Sequence, residues 1–237
     1  MPMSISTFER TCIAPYLGMV PYERALKLQE KLAQARKDGR IGDVLLLLEH
    51  PPVFTVGRFQ GEEDMTIPPE TLVREGIAVV HTNRGGSVTF HGPGQLVGYP
   101  ILHLREIGLG VREYIHKLEE TIIKLLLALG IEGRTIPEYP GVWAGEKKIC
   151  SIGIHASHNI TTHGFALNVN NDLRYFRYVR PCGLSGDVMT SVSGLLGHPV
   201  ELETVIEKLL LCFSDVFCLS CEQENDEWLS TLNVLNG

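Results

Sequence analysis

The sequence contains no apolar run long enough to cross a membrane. Its longest, such as Val44–Leu48 and Leu125–Leu129, fall far short of the roughly 20 residues that a helical span needs. The opening stretch, MPMSISTFER, carries Glu9 and no apolar core segment, so no secretory signal is legible and a cytoplasmic enzyme is the default expectation. Positive charge is also in short supply. Lys and Arg number 21 against 28 Asp and Glu, a net charge of −7, which argues against general nucleic-acid binding. Six cysteines in 237 residues do not make a disulfide scaffold, so in a reducing compartment each is a thiol, either a small buried hydrophobe or a reactive group. The nine histidines include no HExxH or HxH pair. Cys218-x-x-Cys221 has metal or redox spacing but no evident fourth ligand, so neither a metal nor a cofactor is expected. Repeats, low-complexity tracts and long polar linkers are absent as well, and residues 1–237 read as a single domain.

What is present is the balance of a globular protein, 44% hydrophobic and 21% charged. Arg10–Leu17 reads as a strand. Tyr22, Ala25, Leu28, Leu32 and Ala35 recur at helical spacing, with Pro21 at the start and Gly39 past the end. Val44–Leu48, broken by Pro51 and Pro52, reads as a central strand, and Gly57–Met65 as polar loop. Ile77–Val80, Ser87–Phe90 and Gln95–Leu102 follow as strands. The clearest helix is Val111–Leu129, with Val111, Ile115, Leu118, Ile122, Leu125 and Leu129 along one face and Gly130 closing it. Val142–Trp143, Lys148–His155 and Thr161–Val169 form a further strand cluster before a last helix, Leu202–Phe217. The order predicts an α/β (α+β) fold, a mixed sheet with packed helices.

Three segments carry more glycine, histidine and polarity than structural strands require. In the first, Arg84 to Gln95, two glycine clusters bracket a short strand, so the backbone at both ends can approach a ligand closely. Arg84 supplies a rigid fork of donors and His91 a donor or acceptor, although a hairpin with two glycine turns fits the same letters. In the second, alternation along Lys148–Ile154 puts Lys148, Cys150 and Ile152 on one face and Ile149, Ser151 and Gly153 on the other. A lysine among apolar neighbours is unusual without a partner or a task, yet a packed stem with its head in water suits the spacing equally. In the third, Asn168 and Asn170 alternate with Leu167 and Val169, and Pro181-Cys182-Gly183 follows. The Pro-Cys-Gly context leaves Cys182 accessible, whereas Cys212 lies among Leu209, Phe213 and Val216, so Cys182 is the best candidate nucleophile. Only a few per cent of an ordinary cysteine is thiolate at neutral pH, and a nearby ammonium raises that fraction. Which lysine or histidine supplies it is left open by the spacing.

Together the stretches RGGSVTFHGPGQLVGYP, GVWAGEKKICSIGIH, HGFALNVNNDL and PCGL, in this order, resemble the lipoyl(octanoyl) transferases of lipoate biosynthesis from about Arg10 to Leu195. The resemblance implies the catalytic domain shared with biotin and lipoate protein ligases. It also implies octanoyl transfer from octanoyl-acyl carrier protein to a lysine of an apo lipoyl domain. The acceptors would be 2-oxoacid dehydrogenases or the glycine cleavage H protein, with no ATP, cofactor, nucleic acid or membrane involved. Carried over motif by motif, Cys182 would be the nucleophile and Lys148, rather than Lys147, its partner. Arg84, Gly85, Gly86, Ser87, Val88, Thr89, Phe90 and His91, with Ser151, Ile152, Gly153, Gly164, Phe165 and Ala166, would line the substrate site. An ATP-dependent ligase, an amidotransferase between lipoyl-bearing proteins and a non-catalytic acyl-binding module are the rival readings. An acidic carrier also poses a question for a chain of net −7. Arg174, Arg177 and Arg180, three residues apart just before Cys182, suggest either a docking patch or an ordinary solvated face.

Overall fold

The computed structural model describes residues 10–58, 64–180 and 186–224. Its larger sheet has the strand order β11-β1-β3-β7-β10-β9-β8, with β2 also paired to β3. The strands are β1 (Thr11–Ile13), β2 (Tyr16–Met19), β3 (Asp43–Glu49), β7 (Gln95–Ile101), β8 (Gly141–Ala144), β9 (Lys147–Ser157), β10 (Ile160–Asn168) and β11 (Ser220–Glu222). A smaller sheet, β5-β4-β6, joins β4 (Val53–Val56), β5 (Ala78–His81) and β6 (Val88–His91). The expected mixed sheet is thus two sheets, and the strand read at Ser87–Phe90 belongs to the smaller one. The strand read at Arg10–Leu17 is likewise two short strands, separated at Ala14 and Pro15.

Period-two alternation explains the layering. In β3, Val44, Leu46 and Leu48 pack against Ala25, Leu28 and Leu32 of helix α1 (Tyr22–Lys37). Leu45 and Leu47 join the opposite core with Leu118, Ile122 and Leu125 of α3 (Val111–Ala128) and Leu209 and Phe213 of α5 (Leu202–Phe217). A strand buried on both faces reads as a continuous apolar run, which is why DVLLLLE was legible as central. The smaller sheet has its own core, where Phe54, Phe90 and Phe176 meet beneath helix α2 (Pro69–Glu75) and the 3₁₀ turn Leu173–Tyr178. No helix among the described residues is long and apolar enough to cross a membrane.

Two expectations about faces need correction. On α3 the buried residues include Tyr114, Leu118, Thr121, Ile122 and Leu125, while Val111 is 46% exposed and Ile115 half-buried. These two end the apolar stripe over a cavity instead of the core. On β9, Val142 pairs with Cys150 but Trp143 pairs with Lys148, leaving Ile149 as the extra residue of a bulge. A bulge breaks the alternation that simple strand counting assumes. Lys148 therefore does not share a face with Cys150: Cys150 is sealed in the main core while Lys148 borders the cavity.

Candidate active site

A cavity of about 410 Å³ lies where the loop before β6 meets strands β7, β9 and β10 and the start of α3. That volume is in the range of small-molecule sites. The two sheets are stitched together there by the Gly85 N–H, which donates to the Ile154 carbonyl at 2.9 Å. Close backbone approach explains the glycine density. A Cβ on Gly164 would stand 2.2 Å from the Gly98 carbonyl oxygen, and one on Gly98 would fall 2.2 Å from the Phe165 ring.

Thirteen of the fourteen residues expected to line the site border this cavity: Arg84, Gly85, Gly86, Ser87, Val88, Thr89, His91, Ser151, Ile152, Gly153, Gly164, Phe165 and Ala166. Phe90 does not. Strand alternation turns its ring into the small-sheet core, stacked on Tyr175 at 4.7 Å between ring centres. Lys148 also borders the cavity; it is 9% exposed, and its Nζ donates to the Pro140 carbonyl at 2.8 Å and lies 5.8 Å from the centre of the Trp143 ring. Cys182 lies outside the described residues, but the chain just beyond it comes back to Lys148. Met189 bridges Lys148, and the Thr190 N–H donates to the Lys148 carbonyl at 2.9 Å.

Arg84 is held by Thr55, whose carbonyl accepts from Nη2 at 2.6 Å and whose hydroxyl accepts from the same nitrogen at 2.9 Å. Around it is a set of buried rings that sequence reasoning did not assemble. His50 Nδ1 donates to the Val20 carbonyl at 2.6 Å, and the Tyr99 hydroxyl donates to His50 Nε2 at 2.7 Å. His91 Nδ1 donates to Gln95 Oε1 at 2.8 Å, and His163 Nε2 donates to Asn83 Oδ1 at 2.7 Å. Burial lowers the pKa of His50 to about 4 and that of His163 to about 3, and it takes His91 well below the ordinary histidine range. All three are therefore neutral near pH 7, and their tautomers follow from these partners. Their positions, 50, 91 and 163, share no local spacing, so only the long-range strand pairing brings them together.

Other expectations change. Asn168 is a buried junction, accepting from Gln95 Nε2 at 2.9 Å and donating to the Thr190 carbonyl at 3.0 Å. Asn170 lies past the end of β10 and bonds the Val200 carbonyl instead, so the two amides do not form one face. The Cys150 thiol is fully buried, and desolvation pushes it up to about 12. Among the described residues no group of three or more His, Cys, Asp or Glu could hold a metal. Arg174 and Arg177 are exposed on the turn Leu173–Tyr178, but Asp172 takes the first at 2.6 Å and Asp187 the second at 3.1 Å. Each of these two charges is thus offset by a carboxylate, while Arg180 is exposed just past the turn.

Residues 21–214 match the family described as the lipoyl protein ligase A/B catalytic domain. An octanoyltransferase of Solibacter usitatus is 50% identical over 208 residues, which cover 88% of this chain and 94% of the relative. One from Caldicellulosiruptor saccharolyticus is 47% identical over 204 residues, covering 85% of this chain and 87% of the relative. In fold, the chain resembles a crystal structure of lipoate-protein ligase A bound with ATP, with a TM-score of 0.78 at 18% identity and 94% of each chain covered.

Proposed function

Since the chain belongs to the octanoyltransferase family of lipoyl protein ligase A/B catalytic domains, we propose that it transfers an octanoyl group from octanoyl-acyl carrier protein to a lysine of an apo lipoyl domain, through a thioester on Cys182. The observation that carries this reading is the lysine beside the cavity. Lys148 stands at a chamber walled by Val97, Val111, Ile115, Ile152 and Phe165, and the chain leaving the Pro181-Cys182-Gly183 motif is bonded to its backbone.

In the first half-reaction the Cys182 thiolate attacks the donor carbonyl. A C–S bond to the enzyme forms, the C–S bond to the pantetheine breaks, and the pantetheine leaves as a thiol. One thioester replaces another, so no ATP is needed. In the second half, the acceptor amine attacks the acyl-enzyme, a C–N bond forms, and the enzyme thiolate leaves while the amine loses a proton. The Lys148 ammonium stabilises the thiolate and gives its proton to the departing pantetheine sulfur; now neutral, it takes the proton that the amine loses in the second half. His91 and His163, kept neutral by burial, border the same cavity beside the Arg84 guanidinium.

The direct test mixes the enzyme with octanoyl-acyl carrier protein and an apo lipoyl domain, with and without ATP, and follows the acceptor by intact-mass spectrometry. Equal octanoylation in both arms is expected, and strict dependence on ATP would replace transfer with ligation. A second expectation concerns acyl length. Each buried methylene contributes about 0.8 kcal/mol, so an eight-carbon donor should outperform a six-carbon one by roughly tenfold in kcat/KM. Gly98→Ala must displace the Phe165 ring from its present seat and should reduce that ratio. Equal rates from six to sixteen carbons would mean that the cavity is not the acyl site.

A further inference from the structure

Glu119 lies on α3 outside the motifs that point to transfer, yet its carboxylate is buried. One oxygen, Oε1, accepts the Gly141 N–H at 3.1 Å. That N–H belongs to the peptide whose carbonyl, on Pro140, accepts the Lys148 Nζ at 2.8 Å. A single peptide plane therefore has a carboxylate at its N–H end and an ammonium at its C=O end. Each charge orients and polarises the same dipole, so each strengthens the other's hydrogen bond in a medium of low dielectric. Gly141 makes the close approach possible: a Cβ there would stand 2.8 Å from the Lys148 Cε and 2.3 Å from the Cys150 carbonyl oxygen.

We propose that Glu119 is the positioning residue for Lys148, holding its ammonium in place and favouring its charged form through the Pro140–Gly141 peptide. The inference rests on the part given to Lys148 in the transfer reaction. Among the described residues, the titratable groups that meet the pair include His116 and Cys150. His116, on the same helix and 62% exposed, puts Nδ1 3.0 Å from Glu119 Oε2. Cys150, on β9, interacts with both Lys148 and Glu119 and is held as a neutral thiol by burial. Trp143, on β8, presents an uncharged ring to the ammonium.

Glu119→Gln tests the proposal because an amide oxygen still accepts the Gly141 N–H while the charge is lost. Glu119→Asp keeps the charge and shortens the reach. The readout is the pH titration of the Lys148 ¹³Cε resonance in the full chain, assigned by its absence in Lys148→Arg. The midpoint is expected to fall by about one pH unit, a tenfold loss of proton affinity, in Glu119→Gln and by less than half of that in Glu119→Asp. Coincident titrations of Glu119→Gln and the unaltered protein would overturn the proposal, as would equal shifts in the two variants. If the Lys148 titration moves while the pH profile of octanoyl transfer stays fixed, the pairing stands and the role of Lys148 in transfer fails.

Discussion

Cys182→Ala is expected to abolish octanoyl transfer and to leave no acyl adduct after mixing with octanoyl-acyl carrier protein, whereas Cys150→Ala should retain most of the activity. The contrast follows from environment. Cys150 is fully enclosed and its thiol is pushed up to about 12 by desolvation, so it supplies no thiolate near neutral pH. Lys148→Ala should lower the rate by about 10²–10⁴-fold, the span usual for loss of a positioned acid or base, and should move the pH profile of Cys182 alkylation upward. Lys148→Arg keeps the positive charge but cannot give up a proton near neutral pH, so it should form the acyl-enzyme faster than it discharges it. An acyl adduct on a different cysteine, seen by peptide mass spectrometry, would remove Cys182 from the mechanism.

Mild acid should unfold this protein at a higher pH than carboxylate protonation alone would. The fold lowers the pKa of His50 to about 4 and that of His163 to about 3, and takes His91 well below its ordinary value, in each case mainly through burial. Above the unfolded value of roughly 6.5 none of the three is protonated in either state, and the stability is fully present. As the pH drops below that point the unfolded chain takes up protons that the folded chain refuses. The loss steepens toward about 4 kcal/mol per pH unit if all three act together, and it continues until the folded histidines themselves protonate, near pH 4 for His50. Against a typical total of about 5–15 kcal/mol, a loss that reaches roughly 5 kcal/mol near pH 5.3 and roughly 8 kcal/mol by pH 4.5 removes half or more of the stability. Urea midpoints at pH 7, 6 and 5 would measure the slope, and His50→Gln should reduce it by about a third, one of three such groups. A midpoint constant down to pH 4.5 would mean that these rings are hydrated and not buried.

The sequence was most informative where one element decides the outcome. The helices at Tyr22 and Leu202, the apolar run of β3 and the glycine-bracketed β6 were legible because periodicity and turn chemistry are local. The division into two sheets was not, since β6 and β7 are separated only by Gly92, Pro93 and Gly94 yet pair with different partners. The Ile149 bulge was equally hidden, because a single unpaired residue leaves no mark on composition but reverses every face assignment beyond it. Within the candidate site, the glycines and Lys148 stood out as residue types at odds with plain strands. His50, Tyr99 and Glu119 did not, for each reads as ordinary until β3, β7 and α3 bring it to the cavity's surroundings.

The position of β11 bears on how the chain is made. β1 lies between β3 and β11 and is parallel to both, so one of its neighbours leaves the ribosome soon after it and the other is the last described strand. Ser220 donates to the Arg10 carbonyl and Ala14 to that of Glu222, closing a loop of more than 200 residues between the two bonded ends. Until Ser220–Glu222 arrives, one edge of β1 stays open, and an unpaired edge is a template for a strand from another chain. A nascent chain stopped before Ser220 is thus complete across the matched segment, residues 21–214, but has a sheet that can still grow by pairing with a neighbour. The three-residue β11 covers that edge of β1 and takes over as the edge strand of the sheet.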